Sequence, residues 1–222
     1  MLVVSAEVEQ ALELGLAHLS EHHDVQIADT YYPALLQYVS LLVKWNRVYN
    51  LTAIREPCAM VQRHLMDSLV LCRWLPAISR ADETRVDVVD IGSGAGLPVL
   101  PLAIVRPDLI FASIESNGKK TRFQQQVLVE LSIGNVRISN QRVQDVSLEA
   151  DFVTSRAFTA PDAFLRIATS LCSNQAQVAI MLAHSDKLPE PLPDTFLLQE
   201  LVPVDIPGNS APRHIAMCRW KP

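Results

Sequence analysis

Glycine is scarce in this chain, 7 in 222 residues, yet three of the seven fall within residues 92–96. They sit in Asp90-Ile91-Gly92-Ser93-Gly94-Ala95-Gly96-Leu97-Pro98, directly after the apolar run Val86-Asp87-Val88-Val89-Asp90-Ile91. A strand that ends in such a turn brings bare backbone up to a ligand, and the helix that follows offers its free amide groups. The turn therefore selects folds that hold a cofactor between a strand and a helix. A dinucleotide fingerprint needs glycine at position 97, where this chain has leucine, and no Walker lysine is present. The spacing disfavours both NAD and ATP. Glu115 ends the next apolar run, 19 residues after Gly96. A carboxylate at that place can accept hydrogen bonds from both hydroxyls of a ribose.

The rest of the chain divides by period. Apolar residues from Pro33 to Leu51 (Leu35, Tyr38, Leu41, Leu42, Trp45, Val48, Tyr49) recur at three- and four-residue steps, the signature of an amphipathic helix with Pro33 in its first turn. Weaker versions cover residues 5–19 and 59–75, so residues 1–82 read as a helical extension. From Arg85 onward short apolar runs alternate with helical stretches. Strands are expected at 86–91, 109–114, 136–138, 152–154, 178–182 and 215–219, with helices from about Pro98 and over 119–131. The prolines at 189–193 mark a loop before a closing pair of strands. Residues 83–222 thus read as an α/β domain with a mainly parallel sheet.

Charge is unevenly placed. Residues 1–43 hold six acids (Glu7, Glu9, Glu13, Glu21, Asp24, Asp29) and no Lys or Arg, so the net charge of −5 belongs to that segment. The remainder, with all 19 bases and 18 acids, is neutral enough to carry a local basic face for RNA. Cys58, Cys72, Cys172 and Cys218 show no metal-ligand spacing, so reduced cysteines and no metal are expected. Neither a basic leader nor a run of about 18 apolar residues is visible, so the reading is a cytoplasmic protein without a membrane partner.

Taken together, the glycine turn and Glu115 resemble a class I S-adenosylmethionine-dependent methyltransferase. More specific pieces accompany them in order. These are Lys44-Trp45-Asn46-Arg47-Val48-Tyr49-Asn50-Leu51-Thr52, Arg63-His64-x-x-Asp67-Ser68, Leu97-Pro98-x-x-Pro101-Leu102-Ala103-Ile104, Lys119-Lys120-x-x-Phe123 and Ser155-Arg156-Ala157-Phe158. The set is similar to the bacterial small-subunit ribosomal RNA guanine-N7 methyltransferase family (RsmG, or glucose-inhibited division protein B).

The resemblance implies a central seven-stranded, mainly parallel sheet with helices on both faces. It implies methyl transfer from S-adenosyl-L-methionine to N7 of one guanine in the 530 loop of 16S rRNA (position 527), on free rRNA or on the 30S subunit, by a monomer. Asp90, Gly92, Gly94, Gly96, Leu97, Glu115, Val143, Gln144 and Arg156 become the cofactor-binding set. Gln144 stands where the family usually has glutamate, Val99 replaces a common glycine, and Leu182-Ala183-His184 replaces Leu-Lys-Gly. The substrate side is expected to include Asn46, Asn50, Arg63, His64, Asp67, Ser68, Lys119, Lys120 and Arg122, with Lys44, Arg47 and Arg55 as further RNA contacts. His64, Asp67 and Ser68 lack the elbow of a hydrolase, which leaves them structural hydrogen bonding or a place beside the substrate. Guanine N7 already bears a lone pair, so no general acid or base is assigned and orientation carries the catalysis. Two alternatives stay open: a related methyltransferase acting on another RNA base, and a non-catalytic cofactor-binding relative.

Overall fold

The computed structural model describes residues 5–82, 85–156, 159–208 and 212–221. Ala157 and Phe158 of the Ser155-Arg156-Ala157-Phe158 piece lie outside them.

Two long helices open the chain, α1 (Ala6–His23) and α2 (Tyr32–Tyr49). Pro33 occupies the first turn of α2, where its missing N–H costs nothing. Asn50 ends that helix in the left-handed conformation, with its N–H on the Asn46 carbonyl. The following helical stretch is irregular. It runs through α3 (Pro57–Met60), a π segment (Val61–Met66), α4 (Asp67–Leu69) and a 3-10 turn (Val70–Trp74). Glu56 caps its start by accepting from the Cys58 and Ala59 amides. α1 crosses this stretch at Gly15, where a Cβ would come within 2.5 Å of the Met66 sulfur. Only glycine allows that approach.

The sheet follows. Its strands are β1 (Arg85–Ile91), β2 (Phe111–Ile114), β3 (Val136–Ser139), β4 (Glu149–Ser155), β5 (Cys172–Leu182), β6 (Phe196–Pro203) and β7 (His214–Trp220). Between them lie α5 (Val99–Val105), α6 (Gly118–Glu130) and α7 (Pro161–Ala168). The strand order is β3-β2-β1-β4-β5-β7-β6, parallel except for β7, which runs antiparallel to β5 and to β6. The order turns from leftward to rightward growth at β1 and β4. Ligands bind in the crevice that this reversal opens beyond the strands' carboxyl ends.

Alternation along the strands sends side chains to two separate cores. Val88, Phe111, Phe152, Ala179 and Met217 face one side, where they join α5, α6 and the N-terminal helices through Leu16, Leu35, Tyr38, Leu42, Leu65 and Leu69. Val89, Ile91, Ile114, Val153, Ile180 and Leu182 face the other, under Phe164 and Leu165 of α7. The N-terminal helices thus share a core with the sheet. The seven residues of α5 are all buried, which matches the uninterrupted apolar run Val99-Leu100-Pro101-Leu102-Ala103-Ile104-Val105.

Candidate active site

The turn after β1 is built from left-handed glycines, with φ of 71° at Gly92, 58° at Gly94 and 79° at Gly96. Gly94 and Gly96 need that freedom for different reasons. A Cβ on Gly96 would lie 2.3 Å from Leu100 Cδ1, so this glycine lets α5 close down on the turn. A Cβ on Gly94 would meet nothing nearer than 3.9 Å, so there the bare backbone borders open space.

Glu115 ties the turn to β2. Its Oε2 accepts from the Gly94 amide at 2.9 Å and its Oε1 from the Asn117 amide at 2.8 Å. Each oxygen keeps a lone pair for a ligand hydroxyl. Gln124 of α6 fixes the turn from the other side, donating to the Gly94 carbonyl at 2.9 Å while accepting from the Ser113 hydroxyl. Tyr38 of α2 donates to the Ala95 carbonyl at 2.9 Å. The N-terminal helices therefore hold the turn directly.

A cavity of about 380 Å³ opens beside these groups, lined by Ile91, Gly92, Ile114, Glu115, Ser116, Lys120, Gln141, Arg142, Val143 and Gln144. It brings Gly92, Glu115, Val143 and Gln144 of the sequence-derived cofactor set together, with Gly94 at its edge through Glu115. Lys120, expected on the substrate side, joins them, with Nζ 4.0 Å from Glu115 Oε2. Gly96 and Leu97 are inside the fold and shape the turn.

Asp90 and Arg156 leave the strand ends toward the opposite face. Asp90 is fully buried, and neither carboxylate oxygen has a partner in hydrogen-bond geometry. Burial pushes its pKa up to about 8, opposed only in part by the neighbouring Ser93 hydroxyl, Arg156 and the Val99 amide. Arg156 does not line the cavity. It donates to the Arg63 carbonyl at 3.3 Å and to His64 Nδ1 at 2.9 Å.

The charge state of His64 follows from its burial. Its Nδ1 lies 2.9 Å from Arg156 and 3.0 Å from the Arg63 carbonyl, and its Nε2 lies 2.8 Å from the Thr52 hydroxyl. Burial and the adjacent Arg156 pull the imidazole down to about 3, so it is neutral. Because the folded value lies below the ordinary 6.5, the unfolded chain binds more protons between pH 3 and 6.5. Stability contributed by neutral His64 is complete above about pH 6.5 and drains away as the pH falls toward 3, by up to about 1.4 kcal/mol per pH unit. His64→Gln is expected to flatten that acid limb in denaturant melts taken from pH 7 to 4. An unchanged slope would refute the assignment.

The remaining sequence-derived residues divide between scaffold and surface. Asn46 is 2% exposed, and its amide clamps the following loop, accepting from the Thr52 amide and donating to the Ile54 carbonyl. Ser68 is fully buried and donates to the His64 carbonyl. Asp67 is buried beside Arg213 at 3.4 Å; burial raises its pKa while Arg213 and Arg156 oppose the rise. Asn50 accepts from Arg55 at 2.9 Å at the surface. Lys44, Arg47, Arg63, Lys119 and Arg122 are exposed. Tyr38, Ser113, Gln124 and Arg213 were invisible as site residues in the sequence. Each acts through a partner far away along the chain, and only Gln124, a polar residue on the apolar side of a helix, carried any signal.

Glycine turn, ribose-ready carboxylate and a parallel sheet with one reversed strand define a class I methyltransferase. The crystal structure of TrmN from Thermus thermophilus shares the fold with a TM-score of 0.56 at 16% identity, over 72% of this chain and 53% of that one. In sequence, the family description "rRNA small subunit methyltransferase G" matches residues 31–215. Proteins named ribosomal RNA small subunit methyltransferase G are similar nearly end to end. The one from Nitrosomonas eutropha is 38% identical, covering 96% of this chain and 93% of its own. The one from Chromobacterium violaceum is 39% identical over 97% of both, and that of Stutzerimonas stutzeri 35% over 99% of both. The chain belongs to the rRNA small subunit methyltransferase G family.

Proposed function

We propose that the protein transfers the methyl group of S-adenosylmethionine to N7 of a guanine in the 530 loop of 16S rRNA. The observation that carries the reading is the cavity at the glycine turn, where Glu115 keeps a free lone pair on each oxygen beside the open backbone of Gly94. These residues fit the cofactor. Glu115 would hold the ribose hydroxyls, and Val143 and Gln144 the adenine. Bound there, the cofactor supplies an activated methyl group on a sulfonium.

What the chain itself does is position. Guanine N7 would meet that methyl group with its own lone pair, so this chain has no proton to take up or deliver. No proton moves. Neutral His64, braced between Thr52 and Arg156, accordingly serves to hold Arg156 and the loop after α2 in place. Lys44, Arg47, Arg63, Lys119 and Arg122 form the basic surface for RNA, and Tyr49, 45% exposed, supplies an aromatic face for a base. Residues 1–82 would thus form an extension that both steadies the glycine turn and meets the RNA. No helix among the described residues is long and apolar enough to cross a membrane. A cytoplasmic monomer acting on rRNA or the 30S subunit is the setting that fits.

The test is incubation with methyl-labelled S-adenosylmethionine and 30S subunits from a strain lacking this modification, followed by mapping of the labelled nucleotide. Label on N7 of one guanine in the 530 loop is the expected result. No incorporation would overturn the reading, and label on another base would redirect it to a different RNA target.

A further inference from the structure

A hollow of about 330 Å³ opens at the amino ends of β4 and β5, the end of the sheet opposite the cofactor cavity. Asp151 of β4, Asn174 and Gln175 of β5 and Arg219 of β7 line one side of it. Ile78 and Arg80, from the connection into β1, line the other. Asp151 sits level with Asp87, four residues before Ile91 of the cofactor cavity, which places the two openings about 13 Å apart along the strands.

A bulge shapes the hollow. Ala150 pairs with Cys172 and Phe152 with Gln177, so β5 spends five residues (177 − 172) where β4 spends two (152 − 150). Gln175 stands in this bulge at φ 64°, in the left-handed region that favours glycine. Strain of that kind collects at ligand sites.

The charges give the ligand its sign. Arg80 and Arg219 are exposed, and neither guanidinium makes a hydrogen bond or ion pair among the described residues. The acid in the lining, Asp151, accepts from Arg85 and from the Ser173 hydroxyl, so it is already engaged. The side-chain amides of Asn174 and Gln175 also lack a hydrogen-bond partner among the described residues, and each offers both a donor and an acceptor. Ile78, 75% exposed, adds an apolar wall. Two guanidiniums at one opening match a phosphate, paired amides match the donor–acceptor edge of a nucleobase, and an aliphatic side chain matches its flat face. The volume falls within the roughly 300–1,000 Å³ of small-ligand sites.

We propose that this hollow is a second nucleotide site, with the phosphate on Arg80 and Arg219, the base edge on Asn174 and Gln175, and Ile78 against the base. A residue of the rRNA and a free mononucleotide offer the same chemistry. The first source rests on the reading of the protein as an rRNA methyltransferase, and a residue held here would anchor the RNA away from the reacting base.

Calorimetry with AMP, GMP, CMP and UMP tests the site, with saturating S-adenosylhomocysteine present to fill the cofactor cavity. The parent is expected to bind at least one of the four. Replacing both arginines, Arg80→Ala with Arg219→Ala, should weaken that binding about tenfold or more, the usual cost of losing charge-assisted hydrogen bonds, and leave S-adenosylmethionine affinity within about twofold. Gln175→Gly removes an amide and relieves the left-handed backbone, so it should fold as the parent does and bind the nucleotide about threefold more weakly. Binding to 30S subunits separates the sources. With an rRNA residue in the site, the double variant also binds 30S subunits about tenfold more weakly, and its slope of log affinity against log salt falls by about 0.7, the contribution of one phosphate on single-stranded RNA. Weakened mononucleotide binding with unchanged 30S affinity assigns the site to a free nucleotide. A double variant that matches the parent toward both ligands overturns the proposal. A parent that shows these affinities yet transfers no methyl group would instead overturn the activity and leave the nucleotide site standing.

Discussion

Gly94→Val is expected to fold and to lose at least about 100-fold in S-adenosylmethionine affinity, a deficit of roughly 2.7 kcal/mol. A Cβ at this position meets no protein atom within 3.9 Å, so no neighbour has to move. The side chain would project instead beside the Gly94 amide and the Glu115 carboxylate, into space that the ligand needs. The backbone at φ 58° adds strain on the order of 1–3 kcal/mol for a residue with a Cβ, which lowers the melting temperature without abolishing the fold. Gly96→Val is the control. There the new atom lands 2.3 Å from Leu100, and the expected result is a protein that fails to fold. Calorimetry on folded Gly94→Val decides the matter, and undiminished affinity would remove the cofactor from this cavity.

Asp90→Asn is expected to change the pH dependence of stability. The Asp90 carboxyl has a pKa of about 8 in the fold, against an ordinary value near 3.9 in the unfolded chain. The folded state therefore holds its proton more tightly. The stability Asp90 contributes is complete below about pH 3.9 and is lost as the pH rises toward 8. Asparagine keeps the shape and does not ionise. Without ligand, the variant should be the more stable one above neutrality, by on the order of 2 kcal/mol at pH 8, or roughly 5 °C in melting temperature. The advantage should shrink toward pH 5. A melting difference that stays flat from pH 5 to 8 would show that Asp90 does not titrate in the fold.

Much of the architecture was legible along the chain. Apolar runs at 86–91, 136–138 and 178–182 became β1, β3 and part of β5, and the pattern from Pro33 became α2, because burial on two faces or one stripe writes a period into the residues themselves. The glycine turn was equally legible, since left-handed backbone and a preceding strand leave a local trace. Less regular parts were not. The stretch from Ala59 to Leu75 showed one weak helical period, whereas the fold breaks it into α, π and 3-10 pieces around Arg63 and His64. The stretch packs against α1 at Gly15 and meets Arg156 through His64, contacts that have no local signature.

The roles of polar residues divide along the same line. Glu115 could be assigned a ligand-facing place because its position at a strand end is a local property. Asn46, Ser68 and Lys120 could not be placed. The first two turn inward to hold the loop and helix that carry His64, and Lys120 comes to lie against Glu115. By itself, then, the sequence determined the strand-and-helix alternation, the cofactor turn and the family, all encoded in neighbours or in fixed spacing. Only the tertiary structure decided that Asp90 is buried without a partner and that His64 is neutral. Those properties arise when residues tens of positions apart exclude water from one another, and desolvation depends on the assembled surroundings.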